Sequence, residues 1–294
     1  MAGKVLILCA TRLEMAAFLD RNPAGFRNPA GFTDKSHKGL AVFSSPLQSW
    51  DLVISGPGVF NAARALTACL ERFLPAFILH TGIAGVFDGN GLNPGDAAVA
   101  VTDTYIHAGV DRCRTVSGHG TDTAPQTMQS PLHDTALRKH RNHPESTGPL
   151  PGPVSLPGAR HSHMPLDPLP FDLVAGQQMS RQGVYVLDPD LAGSCTSLLA
   201  ESLGRRVIQG PFVTVSAITG SFKKAAALSQ AFSPVMESME GAAAAHVAAL
   251  YQVPMVEIRA ASNRVGERDK IRWDIKTAVQ TVADICEIIL KEST

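Results

Sequence analysis

Two carboxylates and one amide carry the chemistry that this sequence offers: Glu14, Glu240 and Asn263. Glu240 stands in Ser238-Met239-Glu240-Gly241, directly before a small-residue run that continues as His246-Val247-Ala248-Ala249-Leu250. Ala and Leu favour helix, and such small side chains let a helix backbone pack close to a sheet. Asn263 follows a short apolar run of strand character over residues 253–259, at Ala261-Ser262-Asn263. In α/β sheets the ligand lies at the carboxyl ends of the strands. A carboxylate at a helix start and an amide at a strand end are therefore expected to converge on one pocket. Glu14 follows another apolar run, at a strand-to-helix turn. Taken alone, it reads as a first-turn Glu that complements the helix dipole.

The elements that must hold these groups alternate between strand and helix. Residues 4–9 form a near-continuous apolar run, expected of a strand buried on both faces of a mainly parallel sheet. A helix is expected over 13–19, then strands over 40–43, 51–55, 77–85 and 97–102. Beyond these, 184–186 precede Asp188-Pro189-Asp190, a helix-start signal for 190–203, and 207–216 form a strand. The last helix, about 275–291, places Val279, Val282, Ile285, Ile289 and Leu290 on one packing face. Gly56-Pro57-Gly58 can present backbone N–H groups to an anion, but matches neither the dinucleotide nor the P-loop fingerprint. No cofactor is expected. His80 reads as a core histidine, Asp96 as structural, and His107 as a lone histidine without the geometry to define a contact.

Lys plus Arg equals Asp plus Glu at 26 each, which gives no reason to expect a nucleic acid or another polyanion as partner. No run approaches the roughly 18 apolar residues that a membrane span needs. The five cysteines lack metal-type spacing, and no signal peptide is evident. They read as reduced thiols of a cytoplasmic protein. Residues 22–32 carry Asn-Pro-Ala-Gly-Phe twice, a turn-rich duplication with no chemistry assigned. One domain is expected over 1–294, interrupted by an insertion at about 112–180. Ten of the 20 prolines and six of the 10 histidines fall between Thr115 and Pro170, and apolar periodicity is lost there. His161-Ser162-His163 has no companion Cys or carboxylate cluster, so no metal site is expected.

Met239-Glu240 before a small-residue helix, Thr81-Gly82-Ile83-Ala84-Gly85 ending a strand, and Ser262-Asn263 ending another resemble the nucleoside phosphorylase and nucleosidase superfamily. The resemblance covers 4–111 and about 182–290. It implies an α/β, three-layer αβα sandwich with a mixed central sheet. It also implies a small-molecule nucleoside as ligand and a homo-oligomer, a dimer or tetramer. Glu14 then becomes the base that activates water. Glu240 and Met239, preceded by Ser238, grip the ribose, while Gly82, Ile83 and Ala84 line the pocket with backbone. Asn263 holds the base, and Ile218 with Phe212 stands where nucleosidases often place an aromatic. Within the superfamily, Ser262-Asn263-Arg264-Val265-Gly266 with Arg268 and Trp273 most resembles the futalosine-hydrolysing enzymes.

The residue chemistry sharpens this reading. Cleaving a purine from ribose passes through an oxocarbenium-like sugar, and two Glu240 oxygens can hold two hydroxyls by charge-assisted bonds. The NH₂ of Asn263 can donate to N7 and to a 6-oxo group, which favours hypoxanthine-type bases. Ile83 offers phosphate no hydroxyl and Glu14 would repel it, so hydrolysis is expected over phosphorolysis. Arg264, Arg268, Lys270, Arg272 and Trp273 could bind a benzoate at the far end of the substrate; as mixed charges with Glu267, Asp269 and Asp274 they equally read as a solvated loop.

Overall fold

The computed structural model describes residues 4–22, 41–44, 50–110 and 166–293. Among these described residues nine strands form one mixed sheet. In chain order they are β1 (Val5–Cys9), β2 (Ala41–Ser44), β3 (Trp50–Ile54), β4 (Phe77–Val86), β5 (Ala97–Tyr105), β6 (Val184–Val186), β7 (Val207–Thr214), β8 (Met236–Ser238) and β9 (Met255–Arg264). Six helices accompany them: α1 (Ala16–Arg21), α2 (Val59–Leu70), α3 (Pro189–Ser202), α4 (Phe222–Phe232), α5 (Gly241–Tyr251) and α6 (Ile275–Glu292).

Strand alternation sorts the core into two layers. Leu6 and Leu8 of β1 join the cluster built with α2 and α5. Val5, Ile7 and Cys9, on the opposite face, join the cluster built with α1, α3 and α6. The expected three-layer αβα arrangement with a mixed sheet is therefore present. Part of the sheet also closes on itself. β4 pairs with β9, β9 with β5, β5 with β7, β7 with β8, and β8 with β4 again. Inside such a ring a side chain is cut off from solvent, so polar groups there must satisfy one another.

The helix starts follow capping chemistry. Asp188 accepts from the Leu191 amide at 2.9 Å with Pro189 just inside the helix, and Asp274 accepts from Thr277 at 3.0 Å. α5 differs: Gly241, Ala242, Ala244, Ala245, Val247 and Ala248 are buried along it, and its N-cap Glu240 makes no side-chain cap. Thr214 Oγ1 takes the Ala242 amide hydrogen instead, at 2.8 Å. That frees the Glu240 carboxylate for the cavity.

β9 runs on through Arg264, so Ser262 and Asn263 lie inside the strand, beside a bulge opposite Ala84 and Gly85. α4 and β8 have no counterpart in the sequence expectations. Of the expected insertion, 112–165 lie outside the described residues, as do His161, His163 and the duplicated segment from 23 on. Residues 166–180 are anchored at a few points, although more than half of them are exposed: Val174 is 5% exposed, Ser180 is fully buried, and Val110 and Asp167 exchange backbone hydrogen bonds at 2.8 and 2.9 Å. That stretch is tied to the rest by isolated buried residues without any periodic pattern, while Phe171 and Met179 within it stay exposed. Cys9, Cys69, Cys195 and Cys286 are buried free thiols. Among the described residues no helix is long and apolar enough to cross a membrane.

Candidate active site

A cavity of about 280 Å³ opens at the carboxyl ends of β1, β4 and β9. Glu14, Ile83, Ala84, Ile218, Ser238, Met239, Glu240 and Asn263 all line it, as expected, and so do Glu237, Thr219 and Trp273. A pocket near the low end of ligand-binding size, bounded by backbone and a few convergent polar groups, suits a small molecule.

Glu14 is buried in the turn between β1 and α1. Its Oε2 accepts from the Thr11 amide at 2.8 Å, the Thr11 hydroxyl at 2.7 Å and the Cys9 thiol at 3.6 Å. Burial, and next the Glu14 charge, push the Cys9 thiol well up, so it stays a donor. Among the described residues Oε1 accepts only from the Ile83 amide, at 3.1 Å. One oxygen is thus saturated and the other keeps a lone pair for a water proton.

Glu240 Oε1 accepts from the Gly58 amide at 2.8 Å, and Oε2 lies 3.8 Å from Arg259 Nη2. Burial raises the Glu240 carboxyl and the Arg259 charge opposes that rise. Gly58 takes φ +91°, which a side chain would disfavour, and this presents its N–H to the carboxylate. The glycine-rich turn therefore binds an anion, but the anion is the protein's own Glu240.

Beneath the cavity lies a charged cluster that periodicity did not reveal. Arg259 is fully buried and donates to Glu257 Oε1 at 2.9 Å and to His80 Nε2 at 2.9 Å. Arg has only donors, so His80 Nε2 accepts and its proton sits on Nδ1, 3.7 Å from Glu257. Burial, and next Arg259, push His80 well below its ordinary value, so the expected core histidine is neutral. Burial would lower the Arg259 pKa, but Glu257, Glu240 and Glu14 together raise it. Its charge thus holds the carboxylates that face the cavity. Burial, and next Glu257, raise Asp103 well above its ordinary value. Gly82 does not line the cavity. A Cβ there would lie 2.6 Å from Glu14 Oε1 and 2.7 Å from Arg259 Nη1, so the glycine is the gap through which the two approach. A signal for this cluster was available: Glu257 and Arg259, two apart in a strand, share one face of an otherwise apolar run.

Asn263 Oδ1 accepts from Ser262 Oγ at 2.7 Å, and its Nδ2 donates to the Arg264 carbonyl at 2.9 Å. One Nδ2 hydrogen remains, so the amide offers a ligand one hydrogen bond rather than the expected two.

Three expectations are corrected. Phe212 is fully buried in the core because its place in β7 turns it away from the cavity, so it cannot stack on a ligand there. Arg264 lies outside the cavity lining and is committed to Asp88 Oδ1 at 2.7 Å and Asn93 at 3.3 Å. Arg268 is exposed and also outside the lining, although its side chain packs beside Gly220. Arg272 pairs with Glu267 at 3.3 Å, so this loop follows the solvated mixed-charge reading, with Trp273 alone reaching the cavity. His107 is exposed and absent from the lining, and Asp96 accepts the Asn93 amide at 2.8 Å in a structural turn.

This sheet and its carboxylate-lined cavity define a superfamily, and the chain belongs to it: the phosphorylase superfamily model matches residues 4–292. Among individual relatives, the chain is similar to futalosine hydrolase of Thermus thermophilus, 34% identical over 127 residues. That match takes in 43% of this chain, which spans about half (54%) of the relative's length. It is also similar to the 5′-methylthioadenosine/S-adenosylhomocysteine nucleosidase of Bacillus velezensis, 24% identical over 260 residues, covering 88% of this chain and 83% of that one. In fold it resembles the native structure of Helicobacter pylori futalosine hydrolase, with a TM-score of 0.67 at 17% identity over 99% of both chains.

Proposed function

We propose that the cavity hydrolyses the N-glycosidic bond of a 6-oxopurine nucleoside, with futalosine as substrate and hypoxanthine as the released base, a step of menaquinone biosynthesis. The observation that carries this is the convergence of Glu14, Glu240 and Asn263, from three separate elements, on one small cavity. Glu240 Oε2 is available to the sugar hydroxyls, and Met239 gives the sugar an apolar, polarisable surface. A water accepted by Glu14 Oε1 attacks the anomeric carbon as the C–N bond breaks, and its proton passes to Glu14. The bonding electrons leave with the base, whose N7 side faces the remaining Asn263 donor. The base then takes up one proton from water and Glu14 gives its own back to solvent, so that neutral hypoxanthine leaves and the carboxylate is restored. Hydrogen bonds that strengthen as charge develops lower the barrier most.

Water rather than phosphate is the proposed nucleophile. The lining contains Glu14, Glu237 and Glu240 but no Lys, Arg or His among the described residues, and three carboxylates repel a dianion. The proposed setting is the cytoplasm and the proposed assembly a dimer or tetramer. Leu13 and Phe60, 60% and 88% exposed beside the cavity loops, would give such an assembly apolar surface. Hydrolysis of a 6-amino substrate is the second reading, favoured by the longer alignment with the Bacillus velezensis nucleosidase. The higher identity to futalosine hydrolase, 34% against 24%, favours the 6-oxo base; the amide at position 263, with one Nδ2 hydrogen left, does not decide it alone.

Incubation with futalosine, inosine, methylthioadenosine and S-adenosylhomocysteine, with and without phosphate, tests this. Chromatography should find hypoxanthine released from futalosine at the same rate in both buffers, with no sugar phosphate. Dependence on phosphate, or adenine as the main product, would overturn the reading.

A further inference from the structure

Glu237 takes no part in the hydrolysis above, yet it lines the cavity from the short strand β8 with only 6% of its surface exposed. Its Oε1 accepts the Thr219 amide hydrogen at 2.9 Å. Its Oε2 has no hydrogen-bond partner among the described residues, nor does Thr219 Oγ1 on the same wall. A buried acceptor without a donor is costly, and such groups normally find a partner in protein, water or ligand. Burial raises the Glu237 carboxyl, opposed by Thr219 and then by Lys224, and a donor from a ligand would favour its ionised form.

The sheet shows where that donor would sit. Gly85 of β4 pairs with Glu237 of β8 on one side and with Asn263 of β9 on the other. Residues directly opposite one another on adjacent strands share a face. Glu237 and Asn263 therefore stand on one face, two strand spacings or about 10 Å apart at the backbone, separated by a glycine over which Val265 packs, its Cγ2 3.0 Å from where a Cβ would lie. The bulge makes this alignment, because Ala84 pairs with Ala261 and Gly85 then skips Ser262 to meet Asn263. A flat ring lying in the cavity against Val265 would meet an amide at one edge and a carboxylate at the other.

We propose that Glu237 is the specificity-determining residue of this site: its Oε2 accepts the N1–H of a 6-oxopurine whose N7 side is served by Asn263. The inference rests on the nucleosidase reading for the position of the base. An ionised carboxylate only accepts, and hypoxanthine carries a hydrogen at N1, whereas N1 of adenine is itself an acceptor. The carboxylate therefore selects 6-oxo and rejects 6-amino bases, a discrimination that Asn263, with one donor left, does not supply alone.

Glu237→Gln is nearly isosteric. The Gln oxygen can keep the Thr219 hydrogen bond while its NH₂ replaces Oε2, turning an acceptor into a donor. Calorimetric binding of hypoxanthine, 1-methylhypoxanthine and adenine to the full chain needs no turnover. The wild type should bind hypoxanthine about tenfold or more tighter than either other base, and Glu237→Gln should lose that preference over adenine by a similar factor. Glu237→Ala, which removes the acceptor and leaves room for a methyl, should bring hypoxanthine and 1-methylhypoxanthine within about threefold. In turnover, the kcat/KM ratio of futalosine to its 6-amino counterpart should fall about tenfold or more in Glu237→Gln. Unchanged base preference and an unchanged ratio would overturn the role of Glu237 and leave hydrolysis standing. Base preferences that respond as stated in a protein that cleaves no nucleoside would support the base reader and sink the nucleosidase reading. A folded wild type that binds no hypoxanthine would overturn the proposal.

Discussion

The Ile83 amide donates to Glu14 Oε1 at 3.1 Å across 69 residues of sequence. That bond ties the first turn of the chain to β4, and it spends the single donor that Oε1 receives. The oxygen proposed to take the proton is therefore placed by a backbone amide, which makes its position sensitive to anything put near residues 82 and 83.

Gly82→Ala tests that sensitivity. The residue holds φ +152°, and a Cβ would intrude on both Glu14 and Arg259. The strain is expected to cost about 1–3 kcal/mol of stability. Displacement of the base should lower kcat by about 10²-fold or more. Circular dichroism and steady-state kinetics would check both; full activity in a folded variant would mean that Glu14 needs no such approach.

Glu240→Ala removes the proposed sugar contact and also one of the carboxylates near Arg259. A fall in kcat/KM of about 10²–10³ is expected, since the contact strengthens in the transition state. An unchanged specificity constant would take Glu240 out of the site.

Asn263→Asp places an oxygen where Nδ2 now donates to the Arg264 carbonyl at 2.9 Å. Two facing acceptors favour a protonated carboxyl, whose single hydrogen either answers the Arg264 carbonyl or donates to N7, while its oxygens can accept an amino hydrogen where the amide offered a donor. The ratio of kcat/KM for 6-oxo over 6-amino substrates should fall. A ratio that does not move would mean that Asn263 does not read the base.

Much of the site was legible in sequence because its main residues mark ends of elements. Glu14 follows an apolar run, Glu240 precedes a small-residue helix, and Asn263 comes near the close of a strand; local pattern suffices for each. Arg259 and Glu237 escaped because their roles depend on pairing between distant strands. The closed ring that buries Arg259 and the bulge that aligns Asn263 with Gly85 leave no periodic trace. Phe212 misled for the opposite reason. It is six residues from Ile218 in sequence, but its strand position points it into the core.

Stability should depend on pH through Glu237. Its folded-state carboxyl is raised above its ordinary value of 4.5, chiefly by burial. The wild type is then favoured at acid pH and loses that contribution as pH rises from about 4.5 through the raised value. Glu237→Gln lacks the ionisation, so its melting temperature relative to wild type should rise across that window. A difference that is flat with pH, or that falls, would contradict the burial cost assigned to this carboxylate.

Glu14→Gln gives the most direct test of water activation in this cavity. Gln keeps the size and an acceptor for the Thr11 donors, but it cannot take a proton from water. Single-turnover cleavage of futalosine, with substrate affinity measured on the same preparation, should show a rate about 10²–10⁴-fold lower and an affinity within a few-fold of wild type. A variant that cleaves at near the wild-type rate would contradict the account.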